Sequence, residues 1–384
     1  LDLLATIEAT LEEAAAEPRG ASAAVTRQAA VRAAAAAGAP LLSVRNYIGG
    51  EARDASGGTT LPLFDQATGM ARGAVAASTS ADVDAAVGAA AAALRDGGWA
   101  DASPSERAAV LWRAASLLTA EADAFAAAES ADTGKPLRLA QIVDVPRAVA
   151  NFEFFAGMAE HGAAAVARHG GGADRGGGLD AALNYVVRKP VGVVGLVTPW
   201  NLPLYLLSWK LAPALAMGNS VVAKPSELTP TTASMLANLL ERAGLPPGVF
   251  NVVHGAGGDA GRALCEHPEV GALSFTGGTE TGAAVAAAVA PRFAKLSLEL
   301  GGKNSLIVFA DCDIDTAVDG AVRASFLNSG QICLCASRIL VENTPDGFYE
   351  KFATAFAASA AWRSSAAAFA AASSAFWCAS ASSA

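Results

Sequence analysis

With 384 residues, 53% of them apolar and 16% charged, the chain is long enough for two or more domains around a sizeable core and too apolar to be disordered. Its 27 basic and 36 acidic residues leave a net charge of −9, which argues against nucleic acid as a partner, since the basic residues are scattered singly. No run of about eighteen strongly apolar residues is present, so neither a membrane-spanning helix nor a membrane partner is expected. Five cysteines, Cys333 and Cys335 among them, match neither a disulfide framework nor a two-pair zinc spacing, so no metal is expected. Free thiols suit a reducing compartment, and the cytoplasm is the expected one. The acid-free stretch 18–44, with Arg19, Arg27 and Arg32, keeps a mitochondrial or plastid address as the alternative, although Glu8, Glu12, Glu13 and Glu17 precede it.

Residues 1–44 read as an Ala-rich leader, helical at most. A β-rich patch at NYIGGEA, from Asn46, leads into polar loops and then into Ala-rich helices at about 81–95 and 104–131. Ser103, Pro104 and Glu106 give the second of these a capping box with proline at its first position. A third helix comes after Gly134-Lys135-Pro136 and runs to about Glu160, and the glycines at 170–172 and 176–178 predict a protruding hairpin.

After Lys189 short apolar strands alternate with helices. Strands are predicted at 192–198, 220–226, 249–255 and 272–278, with helices at Pro203–Met217, Thr229–Ala243, Ala260–Glu266 and Glu280–Val289. Continuously apolar strands of this kind make a parallel sheet covered on both faces, so the fold class is α/β with a doubly wound, dinucleotide-type domain. From Lys295, KLSLELGGKNSLIVF reads as an alternating strand with a glycine break, succeeded by a helix at 315–328, the run NSGQICLC, a strand at 336–342 and a helix at 345–358. Residues 361–384 hold almost only Ala, Ser, Phe, Trp and Cys, a low-complexity tail without period.

Four runs carry chemistry: TPWNLPLY (198–205), VVAKPSE (221–227), FTGGTETG (275–282), and LELGGK (298–303) together with NSGQICLC (328–335). In this order and spacing they resemble the aldehyde dehydrogenase superfamily from about Asn46 to Phe356. The text around them (PWNLPLYLLSWKLAPALAMGN, KPSELTP, GQICLC) looks most like the 2-aminomuconate and 2-hydroxymuconate semialdehyde dehydrogenase branch. The resemblance implies NAD-dependent oxidation of an aldehyde, of muconic-semialdehyde type, to a carboxylic acid through a thiohemiacetal and a thioester. It divides the chain into an NAD-binding domain (45–165 and 186–300), an oligomerisation hairpin (166–185) and a partial catalytic domain (301–360). It also implies a homo-oligomer and a small-molecule aldehyde as the partner.

Residue by residue, the Gly-Gln-x-Cys run makes Cys333 the nucleophile, where a lone cysteine would otherwise be read as a buried packing residue. Cys335 is expected to pack or to act as a redox neighbour, and Cys265, Cys312 and Cys378 are expected to be structural. Asn201, in Pro-Trp-Asn, corresponds to the oxyanion donor, and read alone it could equally cap the helix after Pro203. Glu299 corresponds to the general base of thioester hydrolysis, the alternative being a glutamate on the wet face of an alternating strand. Lys224 and Glu227 resemble the adenosine-ribose ligands, and a glutamate facing the ribose hydroxyls favours NAD over NADP. Gly277 is expected to let the backbone approach a pyrophosphate at a helix N-terminus, with Gly282 completing a Gly-x4-Gly that a tight turn would also explain. Trp200 packs near the substrate or fills core. Arg147, in DVPRAVANFEFF, is the candidate for a substrate carboxylate, against the reading of a solvated helix residue, and Glu153 stands where that branch would carry a basic or neutral residue.

Family members continue beyond the cysteine into a Glu-x-Phe-Gly-Pro run, whose glutamate holds the nicotinamide ribose, and a final oligomerisation strand. Neither comes after Phe356. The expectation from sequence is a truncated or frameshifted reading of a longer enzyme, the alternative being a remnant that acts at most as a nucleotide-binding or interaction module.

Overall fold

The computed structural model describes residues 42–66, 68–96, 98–162, 166–169 and 182–364. Three short strands open the chain: β1 (Leu42–Val44), β2 (Asn46–Ile48) and β3 (Glu51–Arg53). β4 (Thr60–Phe64) and β5 (Ala71–Ala76) join β1 in a sheet of order β1-β5-β4, where polar loops were expected. Pro62 and Gly73 hide these strands in the sequence, because each is depleted in strands. Gly73 is required here, since a Cβ on it would run into the Leu42 carbonyl.

The next helices are α1 (Ser80–Asp96), α2 (Pro104–Ala120), α3 (Ala122–Thr133) and α4 (Val145–His161). α2 begins on the predicted capping box: Ser103 accepts from the Glu106 amide and Glu106 from the Ser103 amide. The single helix predicted over 104–131 is broken at Glu121, which leaves helical geometry at φ −104°, ψ 17°. α4 is entered through a π-helical turn, Ala140–Asp144, in which the Val145 amide reaches back to the Ala140 carbonyl. Pro146 comes directly after it; it has no N–H to donate and its ring crowds the carbonyl one turn earlier, and the wider turn makes room for it.

β6 (Val166–His169) and β7 (Ala182–Tyr185) pair antiparallel; the glycines expected between them lie outside the described residues. Beyond them the predicted alternation is present: β8 (Val193–Val197), α5 (Pro203–Ala216), β9 (Ser220–Lys224), α6 (Thr231–Arg242), β10 (Phe250–Val252), α7 (Arg262–Glu266), β11 (Val270–Gly277), α8 (Thr279–Val289) and β12 (Lys295–Leu300). β8 to β12 are parallel in a seven-stranded sheet of order β12-β11-β8-β9-β10-β2-β3, which β2 and β3 extend antiparallel. β9 shows why the centre of its run, Val221 to Ala223, had to be apolar. Val221 and Ala223 point into a core with Leu111, Phe152, Leu211 and Leu236, while Val222 points into a second core with Val83, Leu264 and Leu273. Successive side chains alternate between faces, so a strand covered on both sides keeps polar residues, here Ser220 and Lys224, to its ends.

The run KLSLELGGKNSLIVF is two strands in two sheets. β12 closes the large sheet, whereas β13 (Asn304–Val308) lies parallel to β14 (Ala336–Val341) in a separate pair. α9 (Ile314–Phe326) and α10 (Phe348–Ser364) cover that pair over Val308, Val318, Phe348 and Phe352. α10 extends to Ser364, past the start of the expected tail; the leader to residue 41, the chain from 365 and Cys378 lie outside the described residues. Among the described residues no helix is long and apolar enough to cross a membrane.

Two truncations test the two-faced core. Leu211→Ala, fully buried on α5, should lower unfolding free energy by about 2–5 kcal/mol, and Leu228→Ala, 44% exposed, by less than about 0.5. Equal midpoints in urea for the two variants would contradict the packing described.

Candidate active site

In a parallel sheet the strands end on one edge, and the strand order fixes where that edge opens. From β8 the chain crosses by α5 to β9 on one side, while β11 crosses by α8 to β12 on the other. β8 and β11 are neighbours, so their carboxyl ends flank a topological switch point, where crevices form in such sheets. The register places Val197 beside Phe275 and Lys224, and Thr276 beside Glu299. All four runs singled out in sequence therefore reach this edge, the last through Glu299 of LELGGK and through the bond from Asn201 to its NSGQICLC part.

The turn after β8 is held by several polar contacts. Asn201 Nδ2 donates to the Gln331 carbonyl at 2.7 Å, two residues before Cys333. The Asn201 carbonyl accepts from Asn328 Nδ2 at 3.1 Å and from Lys135 Nζ at 3.3 Å. Asn201 does not cap α5. That helix has no side-chain cap of its own at Leu202, and the Leu204 amide is taken by Glu129 Oε1 at 3.2 Å, from α3. The carboxylate of a distant helix thus does the work the local asparagine was a candidate for.

Cys333 is exposed, in a loop fastened by asparagine amides. Besides the Asn201 bond, Asn304 Nδ2 donates to the Cys333 carbonyl at 2.5 Å and to the Cys335 carbonyl at 3.3 Å. Asn328, Ser329 and Gly330 run at φ 54°, 58° and 73°, a left-handed stretch that only Gly adopts freely. Cys335 is half-buried, its thiol toward the Leu327 carbonyl at 3.7 Å. Cys265 is buried, as a structural cysteine should be, and burial pushes its thiol up to about 11. Cys312 departs from the same expectation: it is exposed, because it lies beyond β13 in the loop before α9.

Glu299 is exposed, on the edge strand β12, which has a neighbour on one side only. The wet-face alternative describes its setting here. Its charge is nevertheless felt by Lys210, which lies buried on α5 with Nζ 2.8 Å from Ser274 Oγ. Burial pulls Lys210 down from 10.5 to about 8, with the Glu299 charge working in the opposite direction.

The residues expected to meet a dinucleotide occupy the same edge. Lys224, buried at the end of β9, pairs with Glu227 at 3.1 Å, and Glu227 keeps about a third of its side chain exposed. Gly278 is the N-cap of α8, and a Cβ there would meet nothing within 4 Å. Gly277 lies against its own Phe275 ring, which a Cβ would strike. Gly282 serves close packing, because a Cβ would come 2.5 Å from Leu300 Cδ2 on β12. The hydroxyls of Thr198 and Thr276 and the Asn201 Oδ1 are buried without a partner on this edge. An open helix N-terminus, a lysine–glutamate pair and unpaired hydroxyls are a donor and acceptor set that fits a dinucleotide. Among the described residues no cluster of three His, Cys, Asp or Glu is placed to hold a metal.

Arg147 is exposed on α4 and lies over the Tyr205 ring, 5.7 Å from its centroid. The contact continues as a zipper along α4 and α5 at helical spacing. Asn151 Nδ2 donates to Ser208 Oγ at 2.9 Å, and Phe155 meets Trp209 edge-on at 6.0 Å. Trp200 is 43% exposed and so does not fill core. Tyr205, Trp209, Lys210, Glu129, Lys135 and Asn328 were not singled out in sequence. Tyr205 and Trp209 carried a usable signal, lying four and eight residues after Asn201 on one helix face.

The Lys210 shift has a sign that can be measured. Between about 8 and 10.5 the unfolded chain binds a proton that the folded chain lacks, so this group makes stability rise with pH. Relative to Lys210→Met, the unsubstituted chain should gain stability as pH is raised through that window, read by urea unfolding at several pH values. A difference that stays flat with pH would show that Lys210 is not desolvated.

The chain is similar to known proteins over most of its length. The aldehyde dehydrogenase family profile matches residues 53–367. Human 2-aminomuconic semialdehyde dehydrogenase is 49% identical over 260 residues, covering 67% of this chain and 51% of the relative. The 2-hydroxymuconic semialdehyde dehydrogenase of Pseudomonas sp. strain CF600 is 51% identical over 247 residues, covering 64% and 50%. Among solved structures, betaine aldehyde dehydrogenase from Staphylococcus aureus in complex with NAD+ superposes with TM-score 0.76 at 36% identity, over 82% of this chain and 60% of that one. An NAD+ complex of aldehyde dehydrogenase from Bacillus cereus gives TM-score 0.76 at 35% identity, over 82% and 62%. The chain spans about half the length of the curated relatives it matches. With a family match over most of its residues and a sheet of the same architecture, the chain belongs to the aldehyde dehydrogenase family.

Proposed function

We propose that the chain carries the catalytic residues for NAD-dependent oxidation of a muconic-type semialdehyde to its carboxylic acid. The observation that carries this reading is the 2.7 Å bond from Asn201 Nδ2 to the Gln331 carbonyl, which sets an amide donor beside the loop of the one cysteine in a Gly-Gln-x-Cys run.

Cys333 Sγ, as thiolate, attacks the aldehyde carbon, forming a C–S bond while the carbonyl oxygen becomes an oxyanion. Asn201 exchanges its contact with the Gln331 carbonyl for that oxygen, and the Cys333 N–H is the second donor. A preorganised donor of this kind contributes about 2.7–4 kcal/mol. NAD, when bound, supplies the acceptor for the hydride that the tetrahedral adduct loses in becoming a thioester. Glu299 then takes a proton from water as its oxygen attacks the thioester carbon; the C–S bond breaks, and the acid and the Cys333 thiolate are released. The exposed position of Glu299 suits a base whose substrate is water.

Lys224 and Glu227 would hold the adenosine ribose, and the Glu227 carboxylate disfavours a 2′-phosphate, hence NAD over NADP. Thr198, Gly277 and Gly278 would face the pyrophosphate end, with Gly282 letting α8 sit close behind them, and Trp200 lies beside the entrance. Arg147 would meet the far carboxylate of the semialdehyde; its place over Tyr205, one helical turn past Asn201, supports this, as do the muconic semialdehydes in the relatives' names. Glu153, exposed further along α4, is the feature least in keeping with an anionic substrate. The β6–β7 pair is proposed as the oligomerisation hairpin.

Cys333→Ala should abolish NAD-linked aldehyde oxidation while Cys335→Ala retains most of it; equal loss in both would remove the nucleophile assignment. Arg147→Ala should raise KM for a carboxylated semialdehyde by about ten- to hundredfold, one charge-assisted contact being worth about 1.5–3 kcal/mol, with little change for a plain aliphatic aldehyde. Equal changes for both substrates would make Arg147 structural.

A further inference from the structure

A group of buried charged residues around Lys135 takes no part in the chemistry above. Glu129, Asp132, Lys135 and Asp144 are all buried, and three of them form one cluster. Lys135 Nζ lies 3.0 Å from both Asp144 oxygens and 4.0 Å from Glu129 Oε1. Removing three charges from water is costly, and interiors tolerate it only when each finds partners. Burial, reinforced by the Asp144 charge, holds the Glu129 carboxyl above the usual range, so the cluster sits in a strongly desolvated place. A hydrophobic trio would fill the same space at less cost, and the question is what these charges accomplish.

Their remaining bonds answer it, because they converge on the start of α5. Lys135 gives a further donor contact to the Asn201 carbonyl at 3.3 Å. Glu129 spends one oxygen on the Leu204 amide and the other on Thr232 Oγ1 at 3.0 Å, joining the N-terminus of α5 to α6. Asp144 is the last residue of the π turn and bonds Lys135, while Arg147, three residues on, lies over Tyr205. The Asn201 carbonyl also receives Asn328 Nδ2 from the cysteine loop, so the turn is held from both sides through one oxygen.

We propose that Lys135, charge-balanced by Asp144 and flanked by Glu129, is a positioning residue that fixes the Asn201 turn and, through Asn328, the Cys333 loop. The inference rests on the reading of Asn201 as oxyanion donor, but the tie itself can be tested without it. Because Lys135→Met alone strands the buried Asp144 and puts folding at risk, Lys135→Met/Asp144→Asn is made beside it. In the full chain, hydrogen exchange of the Leu204 and Gln331 amides should quicken at least tenfold in the double variant, while Val221 in the central sheet and Val253 just after β10 keep their protection. No local change, or the same acceleration in the sheet, would overturn the tie. In single turnover, hydride release should slow by about the factor seen for Asn201→Ala, and adding Asn201→Ala to the double variant should slow it little further. Full additivity would overturn the positioning role. If Asn201→Ala leaves the rate unchanged, the oxyanion reading fails, and the exchange data still decide whether Lys135 holds the turn.

Discussion

The Asn201 turn is the constraint on which the rest of this structure depends. Its carbonyl takes donors from Lys135 on one side and Asn328 on the other, and its side-chain amide reaches the Gln331 carbonyl. The large parallel sheet and the smaller β13–β14 unit meet on these bonds. Three bonds on one residue fix the direction of the turn as well as its distance from the loop, which apolar packing alone would not impose.

The sheet explains why the turn lies where it does. Five parallel strands end on one edge, and the reversal of order at β8 and β11 opens that edge beside Thr198, Gly277 and Glu299. α5 carries the consequence outward: Asn201 precedes it, Tyr205 and Trp209 come after at helical spacing, and α4 presents Arg147 and Phe155 to them. Strand register and helix phase thus place Lys224, Glu299 and Arg147, whereas Asn201 and Cys333 lie in turns and loops held by side-chain amides.

Much of this could be read in the sequence, for reasons visible in single elements. The apolar centre of SVVAK pointed to a strand covered on both faces, and Ser103 with Glu106 announced a helix start that the structure keeps. What was hidden depends on partners distant in the chain. TLPLF and ARGAVA carry a proline and a glycine that speak against strands, and only mutual pairing makes them one sheet. KLSLELGGKNSLIVF has one uninterrupted pattern, yet its two halves pair with strands in different sheets. The candidates Cys333, Asn201 and Glu299 were singled out by their neighbours in sequence, whereas Glu129 and Lys135 were passed over. A glutamate bonding a helix amide 75 residues further along the chain leaves no local trace.

The central claim is that Cys333 forms the covalent bond to substrate, with Glu299 acting only afterwards on water. It is tested most directly by incubating Glu299→Gln with NAD and a carboxylated semialdehyde, digesting at low pH, and weighing the cysteine peptides. The account predicts an acyl group on Cys333 and none on Cys335 or Cys312. An acyl group on either of the other two, or a Glu299→Gln chain that consumes aldehyde without any cysteine adduct accumulating, would contradict it.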